Sequence, residues 1–296
     1  MESKIPQQFK NNVIEAIKAD RANYGGSNKA YSKTIDLNYG IVGDIINGKD
    51  LTGKISDSNY IRIGRLLGVN RNQTNWKVTR TSIYNEIEDS LRFCKENSAT
   101  MILVDDCGIG KTFCAKHILK SMKDAFYVDC SQCKSKNAFI KALAQTIGSG
   151  THGKYSEILA DLKYYISNVL DKPLIVLDEA GDLDAPAFLE IKAIYNATVD
   201  ACGWYMMGAN GLRKKIEKGV NNDKLGYEEI LSRFSDEIVK LVPTGKENRD
   251  AFYMDLIRTV VSAQIDDVEK VNKIVRQCLN KKATLRNLKN KIELVR

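Results

Sequence analysis

The stretch MILVDDCGIGKT, from Met101 to Thr112, decides the fold of this chain. Its apolar half predicts a buried strand, and Gly110-Lys111-Thr112 predicts a helix that begins directly after a glycine-bearing loop. In such a loop, backbone N–H groups and the helix N-terminus converge on phosphate groups, the lysine reaches the β/γ oxygens and the threonine hydroxyl holds Mg²⁺. The pattern therefore predicts a phosphate-binding loop, or P-loop, for a nucleoside triphosphate.

One position departs from the usual GxxxxGK[ST] pattern, because Asp105 stands where the first glycine is expected. That position makes the turn out of the strand, and Asp tolerates unusual dihedral angles better than most residues. The remaining glycines lie where the backbone must come closest to phosphate. We expect the nucleotide to contact Cys107, Gly108, Ile109, Gly110, Lys111, Thr112 and Phe113.

A second apolar run, LIVLDE from Leu174 to Glu179, predicts another buried strand that ends in two acids. After a P-loop, Asp178 completes the metal shell and Glu179 polarises the attacking water. The alternative is a glycine turn beside an unrelated acidic strand end. Because the two motifs follow in the right order, each on its own apolar strand, we expect ATP and Mg²⁺ to bind here and ATP to be hydrolysed.

Strands and helices alternate through the middle of the chain. Predicted strands lie at 100–105, 125–130, 173–178 and 203–209, and predicted helices at 111–123, 136–148, 155–171 and 185–200. This alternation predicts an α/β fold of three layers, with helices on both faces of a parallel sheet. One more strand is expected at Glu237–Val242, and the chain is all-helical beyond Pro243. The expected domains are a small all-α domain at 1–69, a linker at 70–80, the α/β core at 81–245 and a helical lid at 246–296.

The N-terminal region carries a compact helical pattern. Apolar spacing between Ser27 and Lys49 predicts two short helices joined by a tight turn, with Asn38 as N-cap of the second. This segment resembles the helix-turn-helix of the Cro/repressor type. Gly40 and Gly43 give the second helix little with which to reach bases, and Asp44 would repel phosphate. We therefore expect DNA contacts that are mainly to phosphate or only weakly sequence-specific. A helical bundle that binds protein is the alternative.

The formal net charge of +8 is unevenly distributed. Residues 1–80 carry 13 basic and 7 acidic side chains (net +6), residues 81–245 carry 20 and 23 (net −3), and residues 246–296 carry 12 and 7 (net +5). Two basic ends around a mildly acidic body favour an anionic polymer such as double-stranded DNA as partner. The alternative is that the basic residues only keep the protein soluble.

The remaining composition points to a reducing compartment. No apolar run is long enough for a membrane span and no signal-peptide pattern opens the chain, so we expect a cytoplasmic protein with no membrane partner. Cys107 and Cys114 flank the P-loop lysine, where oxidation would be harmful, so reduced thiols are expected. Cys130 and Cys133 form a CxxC pair without a second pair to complete a zinc site, which leaves a redox or metal role as the less favoured interpretation.

Three further polar residues follow the two motifs in a familiar order. Asn210 lies just past the fourth strand, Arg233 precedes the last strand, and Arg286 lies in the helical tail. The order resembles that of the AAA+ ATPases, with Walker A, Walker B, sensor 1, arginine finger and sensor 2. By that resemblance Lys111, Glu179, Asn210 and Arg233 are catalytic and Arg286 contacts the nucleotide. Alternatively, Asn210 caps a turn, Arg233 forms a surface ion pair and Arg286 belongs to a basic cluster.

A repressor-like helix-turn-helix ahead of a compact AAA+ ATPase resembles the phage Mu transposition protein B family, relatives of the IstB and TnsC-type transposition regulators. The resemblance implies a DNA-binding ATPase without strong sequence preference. Its ATP-bound subunits would form a head-to-tail helical filament on duplex DNA, deliver that DNA to a DDE transposase and activate it. Candidate DNA contacts on the ATPase body are Lys134, Lys136, Arg213, Lys214 and Lys215.

Three other functions are compatible with the same motifs. A replication helicase loader is another DNA-associated AAA+ protein, but a helix-turn-helix fits it less well. A helix-turn-helix transcriptional regulator would use its ATPase only to control oligomerisation. A signalling ATPase of the STAND type normally carries far more sequence after its lid.

Overall fold

The computed structural model describes residues 5–69, 76–234, 237–280 and 284–295. Within these residues the centre of the fold is a parallel sheet of five strands, which confirms the predicted α/β class. The strands are β1 (Thr100–Val104), β2 (Ala125–Asp129), β3 (Leu174–Asp178), β4 (Gly203–Gly208) and β5 (Ile238–Val239). Their order across the sheet is β2-β3-β4-β1-β5, which brings the carboxyl ends of β1 and β3 to the same edge on either side of β4.

Helices make up most of the rest of the described chain. In order they are α1 (Gln7–Ala22), α2 (Asn28–Thr34), α3 (Tyr39–Ile46), α4 (Asp57–Leu66), α5 (Ser82–Asn97), α6 (Lys111–Leu119), α7 (Lys136–Ile147), α8 (Tyr155–Asn168), α9 (Ala185–Ala197), α10 (Asn210–Asn221), α11 (Tyr227–Arg233), α12 (Lys246–Ser262), α13 (Val268–Asn280) and α14 (Leu288–Glu293). Among the described residues, no helix combines the length and the apolar character that crossing a membrane requires.

The sheet is buried on both faces, as the apolar runs in its strands predict. Because successive side chains in a strand point to opposite sides, Trp204 and Met206 pack on one face of β4 while Tyr205 and Met207 pack on the other. The first face is covered by α7, α8 and α9, and the second by α5, α6 and the lid helix α12. Two apolar layers therefore fix the sheet and, with it, the loops at the carboxyl ends of its strands.

The two short helices predicted between Ser27 and Lys49 are α2 and α3. Asn38 caps α3 as predicted, because its side chain accepts a hydrogen bond from the Gly40 N–H at 2.8 Å. The turn between the helices places Asp36 in the left-handed region, with φ of 47°. Asp44, which we expected to repel phosphate, forms ion pairs with Lys54 at 2.8 Å and Lys49 at 3.5 Å, so its charge is compensated within the domain.

The N-terminal helices are attached to the α/β core by hydrogen bonds and by apolar packing. The Tyr24 hydroxyl donates to the Ile147 carbonyl at 2.8 Å and lies 2.9 Å from the Tyr165 hydroxyl. The Gly25 N–H donates to the Asp124 carboxylate at 2.5 Å. The apolar core of the N-terminal helices is also continuous with the first face of the sheet. The N-terminal helices and the α/β core therefore form one packed unit.

The C-terminal helices form a separate apolar cluster, which is the lid. Trp76, from the region predicted as a linker, packs against this cluster. The Gln264 side chain bonds both backbone groups of Lys77, accepting from its N–H at 3.1 Å and donating to its carbonyl at 2.7 Å. The chain from Trp76 onward is therefore attached to the lid, while the rest of the predicted linker, 70–75, lies outside the described residues.

Three helices end three or four residues earlier than predicted, and each is followed by a left-handed residue before the next strand. The helices predicted at 111–123, 155–171 and 185–200 end at residues 119, 168 and 197. Before each following strand the chain passes through a residue with positive φ, namely Asp124 (51°), Lys172 (44°) and Asp200 (63°). These left-handed residues lie at or beyond the predicted helix ends and belong to the turns that lead into the strands.

The last strand is much shorter than the predicted Glu237–Val242. Only Ile238 and Val239 pair with β1. The N–H groups of Leu241 and Val242 donate instead to the Asp105 carboxylate, at 2.5 and 2.8 Å. Because these donors bind a side chain, the backbone leaves the sheet after two paired residues.

Candidate active site

The P-loop connects β1 to α6 and has the backbone shape that its glycines allow. Gly108 and Gly110 have φ of 76° and 103°, which side chains rarely adopt. Lys111 is the first residue of α6, and its ammonium donates to the carbonyls of Asp105 at 2.9 Å and Asp106 at 2.7 Å. Burial lowers the pKa of Lys111 below its ordinary value. The lysine is thus held across the loop, where it can exchange carbonyl partners for phosphate oxygens.

Asp105 occupies the position of the missing glycine for a different reason from the one expected. Its φ is not in the left-handed region, so tolerance of unusual dihedral angles does not explain it. Its carboxylate instead accepts three backbone N–H bonds, from Asp106 at 2.7 Å and from Leu241 and Val242. A glycine would leave those two distant donors without this acceptor. Asp105 therefore ties the start of the P-loop to the segment after β5.

The acidic end of β3 lies directly opposite the start of α6. Thr112 Oγ1 donates to Asp178 Oδ2 at 2.6 Å, and Asp178 Oδ1 accepts from the Glu179 N–H at 2.9 Å. Glu179 has φ of 49° and ψ of 39°, which turns the chain away from the strand direction. Burial raises the pKa of the Glu179 carboxyl above its ordinary value, and the adjacent charge of Asp178 adds to that shift. The two acids thus have different surroundings within one turn of chain.

The oxygens of Thr112 and Asp178 suit a magnesium ion. Mg²⁺ prefers oxygen ligands and is usually bound through one or two protein groups together with substrate phosphates. Among the described residues, no group of three or more His, Cys, Asp or Glu side chains could hold a metal without help. Thr112 and Asp178 therefore fit an ion that arrives with the phosphates of a nucleotide, rather than a metal held by the protein alone.

A cavity of about 570 Å³ opens over the P-loop, large enough for a nucleotide. The predicted nucleotide-contacting loop, Cys107 to Phe113, lines it, together with Glu179, directly after β3, and Arg286 from the lid. Asn210 is the exposed first residue of α10, and its neighbour Ala209 reaches the lining. Most of the residues that the sequence singled out therefore converge on one cavity.

Arg233 lies elsewhere in the molecule and does not line this cavity. It ends α11, where its Nε donates to Asn196 Oδ1 at 2.7 Å and its Nη1 donates to the Glu229 carbonyl at 3.0 Å. Its own backbone carbonyl accepts from Thr100 Oγ1 at 2.6 Å, at the start of β1. The guanidinium is half-buried against its own subunit and lies away from that subunit's cavity.

The five candidate DNA contacts differ in how far they are engaged within the chain. Lys134 pairs with Asp182 at 3.1 Å, and Lys136 pairs with Glu190 at 2.5 Å. Lys215 donates to the Leu183 carbonyl, and burial lowers the pKa of its ammonium. These three lysines therefore hold parts of the fold together in this structure. Of the other two, Lys214 is exposed and Arg213 is half-buried.

Sequence reasoning missed the contacts between the lid and the P-loop. Asp106 accepts hydrogen bonds from Arg249 at 2.5 Å and from the Tyr253 hydroxyl at 2.6 Å, both on α12. The Leu285 N–H donates to the Gly108 carbonyl at 3.0 Å. The doublet Asp105-Asp106 was visible in the sequence, but nothing in it indicated the distant partners. The lid is therefore bound directly to the loop that would hold phosphate.

The Asp178 carboxylate also has a second hydroxyl partner that the sequence did not indicate. The Tyr127 hydroxyl, on β2, donates to Asp178 Oδ2 at 2.6 Å. A tyrosine in a predicted buried strand is ordinarily read as a core residue, and only the strand order places it beside Asp178.

Comparison with known proteins gives a family match and distant similarities to solved structures. A family model described as an AAA domain matches residues 94–216. A crystal structure of NtrX from Brucella abortus in complex with ATP is similar with a TM-score of 0.45 and 14% identity, covering 85% of this chain and 58% of the NtrX chain. This chain thus spans less than two thirds of that chain's length. No curated protein matches the sequence significantly.

The family match coincides with the part of the fold that carries the cavity's central motifs. It includes the P-loop, the acidic end of β3 and Asn210, whereas Arg233 and Arg286 lie beyond its end. The matched segment is also the part in which strands and helices alternate. Residues 94–216 are therefore similar to an AAA domain.

Proposed function

We propose that this protein is a Mg²⁺-dependent ATPase that, when bound to ATP, assembles head-to-tail on duplex DNA and supplies that DNA to a transposase. The observation that carries the ATPase part is the contact between Asp178 and Thr112, because Thr112 and Glu179, which directly follows Asp178, both line the P-loop cavity. The DNA and transposition parts rest on the charge distribution and on the resemblance to the phage Mu transposition protein B family.

The site's own residues divide the work of hydrolysis. Lys111 and the N-terminus of α6 bind and orient the triphosphate, and Thr112 with Asp178 would hold its Mg²⁺. When bound, the ion neutralises charge that develops on the phosphate oxygens. Glu179 accepts the proton of the attacking water, and its raised pKa makes its carboxylate a stronger base than an exposed one.

Arg233 supports assembly because its position suits a neighbouring subunit's cavity rather than its own. An arginine that approaches the γ-phosphate from another subunit stabilises the transition state only when subunits are in contact. A head-to-tail contact of that kind generates an open helix when its rotation does not close. Hydrolysis would then remove the phosphate that holds the contact, and the assembly would come apart.

Double-stranded DNA is the proposed polymer on which subunits assemble. The N-terminal region carries a net charge of +6, and its α2–α3 pair has a capped second helix with Asp44 already neutralised by lysines. Contacts that are mainly to phosphate favour DNA of any sequence. On the ATPase body the candidates Lys134 and Lys214 are both exposed, but Lys134 pairs with Asp182, which favours Lys214 for the same role.

The central test is electron microscopy of the Glu179→Gln variant with duplex DNA, in ATP and in ADP. We expect ATP binding to persist, hydrolysis to fall by two or more orders of magnitude, and filaments to accumulate in ATP only. The matched control is Glu88→Gln, which alters a buried carboxyl on α5 that pairs with Arg92 at 2.9 Å, outside the cavity. Single particles with equal DNA affinity in every nucleotide state would contradict the proposal.

A mixing experiment tests Arg233 separately. Lys111→Ala removes the nucleotide site but keeps the arginine, whereas Arg233→Ala keeps the nucleotide site but removes the arginine. Each variant alone should be inactive, and their mixture should regain ATPase activity on DNA because one subunit supplies what the other lacks. A mixture that stays inactive would assign Arg233 to its contacts with Asn196 and Glu229.

The partner of the assembly distinguishes the remaining functions. Stimulation of a DDE transposase on filament-coated DNA supports transposition. Co-purification with a replicative helicase would favour a helicase loader instead. Protection of one short operator, rather than unrelated duplexes, would favour a transcriptional regulator.

A further inference from the structure

Tyr127 lies where it can act on the metal site, although it belongs to a different strand. It is on β2, in register with Val176 of β3, and Asp178 follows Val176 by two residues on the same strand. Residues two apart in a strand share a face of the sheet, so the Asp178 side chain projects on the same side as that of Tyr127. An aromatic side chain is long enough to reach such a diagonal neighbour. The register of β2 and β3 therefore brings the phenol to the carboxylate.

The Asp178 carboxylate is fixed by three hydrogen bonds. Oδ2 accepts from Thr112 Oγ1 and from the Tyr127 hydroxyl, both at 2.6 Å, and Oδ1 accepts from the Glu179 N–H at 2.9 Å. Two of the donors come from the P-loop helix α6 and from the carboxylate's own turn. The bond from Tyr127 comes from the sheet and does not depend on either.

A lysine that lines the cavity makes a cation–π contact with the Tyr127 ring. The Lys116 ammonium lies 4.6 Å from the centre of the ring, at a distance typical of a cation–π contact. Lys116 is one turn after Thr112 on α6 and lines the cavity. The ring extends from β2 and contacts Lys116 of α6, which limits the directions in which its hydroxyl can point.

We propose that Tyr127 is a positioning residue of the magnesium site, which fixes the Asp178 carboxylate in the orientation that receives the ion together with Thr112. This inference rests on the proposed ATPase function and names a residue outside both nucleotide-binding motifs. A carboxylate that ligates or faces a metal is commonly oriented by a hydrogen bond of this kind, and removing such a partner typically costs about 10–100-fold in metal affinity or activity.

The test is a Mg²⁺ titration of nucleotide binding with the full-length Tyr127→Phe variant. Both this chain and its parent carry Glu179→Gln, so that hydrolysis does not change the nucleotide, and the probe is a fluorescent ATP analogue. We expect the Mg²⁺ concentration for half-maximal binding to rise about tenfold. Binding at saturating Mg²⁺ and the weak binding in EDTA should both stay as in the parent, because the phenol touches the carboxylate and not the phosphates.

The matched control is Tyr24→Phe in the same background. Tyr24 also uses its hydroxyl for two buried hydrogen bonds, to the Ile147 carbonyl and Tyr165, but far from the cavity. It should lower the midpoint of thermal unfolding without moving the Mg²⁺ titration. This variant shows what a lost structural hydroxyl does by itself.

The outcomes separate this inference from the proposed function. A parent chain whose nucleotide binding does not depend on Mg²⁺ would contradict the proposed function itself. A parent that depends on Mg²⁺, together with an unchanged titration in Tyr127→Phe, would overturn only the role of Tyr127. Weaker binding at every Mg²⁺ concentration, including EDTA, would also overturn it, because Tyr127 would then support the shape of the cavity instead.

Discussion

The two helical regions at either end of the ATPase core are attached to it in different ways. The N-terminal helices are joined to the core through Tyr24, Gly25 and Asp124, on elements that do not line the cavity. The lid is joined through Asp106 and Gly108, which belong to the P-loop itself. The difference teaches that the N-terminal helices should follow the core as one body, whereas the lid should respond to whatever the P-loop binds.

The largest effect should come from Gly108→Ala, at the lid's attachment. A Cβ at this position would lie 2.5 Å from Thr284 Oγ1, and the backbone φ of 76° is itself unfavourable for alanine. The loop must then shift away from both the lid and the phosphates. Losing one or two charge-assisted hydrogen bonds, at about 1.5–3 kcal/mol each, would weaken ATP binding roughly 100-fold, as measured by calorimetry.

Gly48→Ala is the matched control for that prediction. Gly48 has a similar φ of 66°, but nothing lies within 4 Å of the Cβ that would be added, and it belongs to the N-terminal domain. It should cost about 1 kcal/mol of stability and leave ATP affinity unchanged. Equal ATP affinity in both variants would show that the lid's attachment to Gly108 is incidental.

A smaller effect is expected from Gly25→Ala, at the N-terminal attachment, and it should change stability rather than ATP affinity. The added Cβ would lie 2.1 Å from Asp124 Oδ2, a buried carboxylate that has little room to move. Overpacking of this kind costs about 1–3 kcal/mol in the free energy of unfolding, measured by denaturant titration. ATP affinity should not change, because neither residue lines the cavity.

The control for Gly25→Ala is Gly43→Ala on α3, where nothing lies within 4 Å of the new Cβ. This substitution should be neutral or slightly stabilising, since alanine is the better helix former. If Gly25→Ala weakened ATP binding as much as Gly108→Ala does, the contrast between the two regions would be lost.

The smallest effect concerns pH and the ion pair between Asp106 and Arg249. Burial opposes ionisation of Asp106, but the hydrogen bonds from Tyr253 and Arg249 outweigh it and hold the pKa of the carboxyl below its ordinary value of 3.8. Stability from this pair is therefore complete above about pH 4 and is lost as the pH falls below that value. Both side chains are about one third exposed, so the contribution should stay under about 1 kcal/mol.

Asp106→Asn tests that prediction in free energies of unfolding. The difference between the wild type and Asp106→Asn should be present at pH 7 and should shrink as the pH falls below about 4, because protonation of the carboxyl then begins to favour the unfolded chain. Asp161→Asn, on the exposed side of α8, is measured alongside as a control. A difference that is the same at both pH values would mean that the lid is held without help from this charge.

Much of the core could be predicted because its signals are local. Apolar runs such as Leu174–Leu177 mark buried strands, and parallel order brings Thr112 and Asp178 together without further information. The contacts that distinguish this chain are not local. Tyr127 depends on the register of β2 and β3, and Arg249 reaches Asp106 across more than 140 positions of sequence. The residue types alone show neither which distant residues come into contact nor how β2 and β3 are aligned.

The short last strand, Ile238–Val239, shows that a distant contact can also override a local sequence pattern. The residues from Glu237 to Val242 are typical of a strand of six. The N–H groups of Leu241 and Val242 bind the Asp105 carboxylate instead of β1, so the chain leaves the sheet there. A side chain that competes for backbone donors can only be recognised once the fold has brought it near. The aspartate in the place of a glycine was the one sequence feature that pointed there.

Strand β1 joins two events that a polymer of this protein would need to keep in step. At its beginning, the Thr100 hydroxyl donates to the carbonyl of Arg233, the residue that would reach the next subunit in the proposed assembly. Directly after its end, Asp105 begins the P-loop, which would hold the subunit's own triphosphate. Five residues of extended chain measure about 16 Å and hardly stretch. In the proposed assembly, a displacement at one end of β1 would therefore be carried to the other end, so that the nucleotide state of one subunit would reach the arginine that contacts the next.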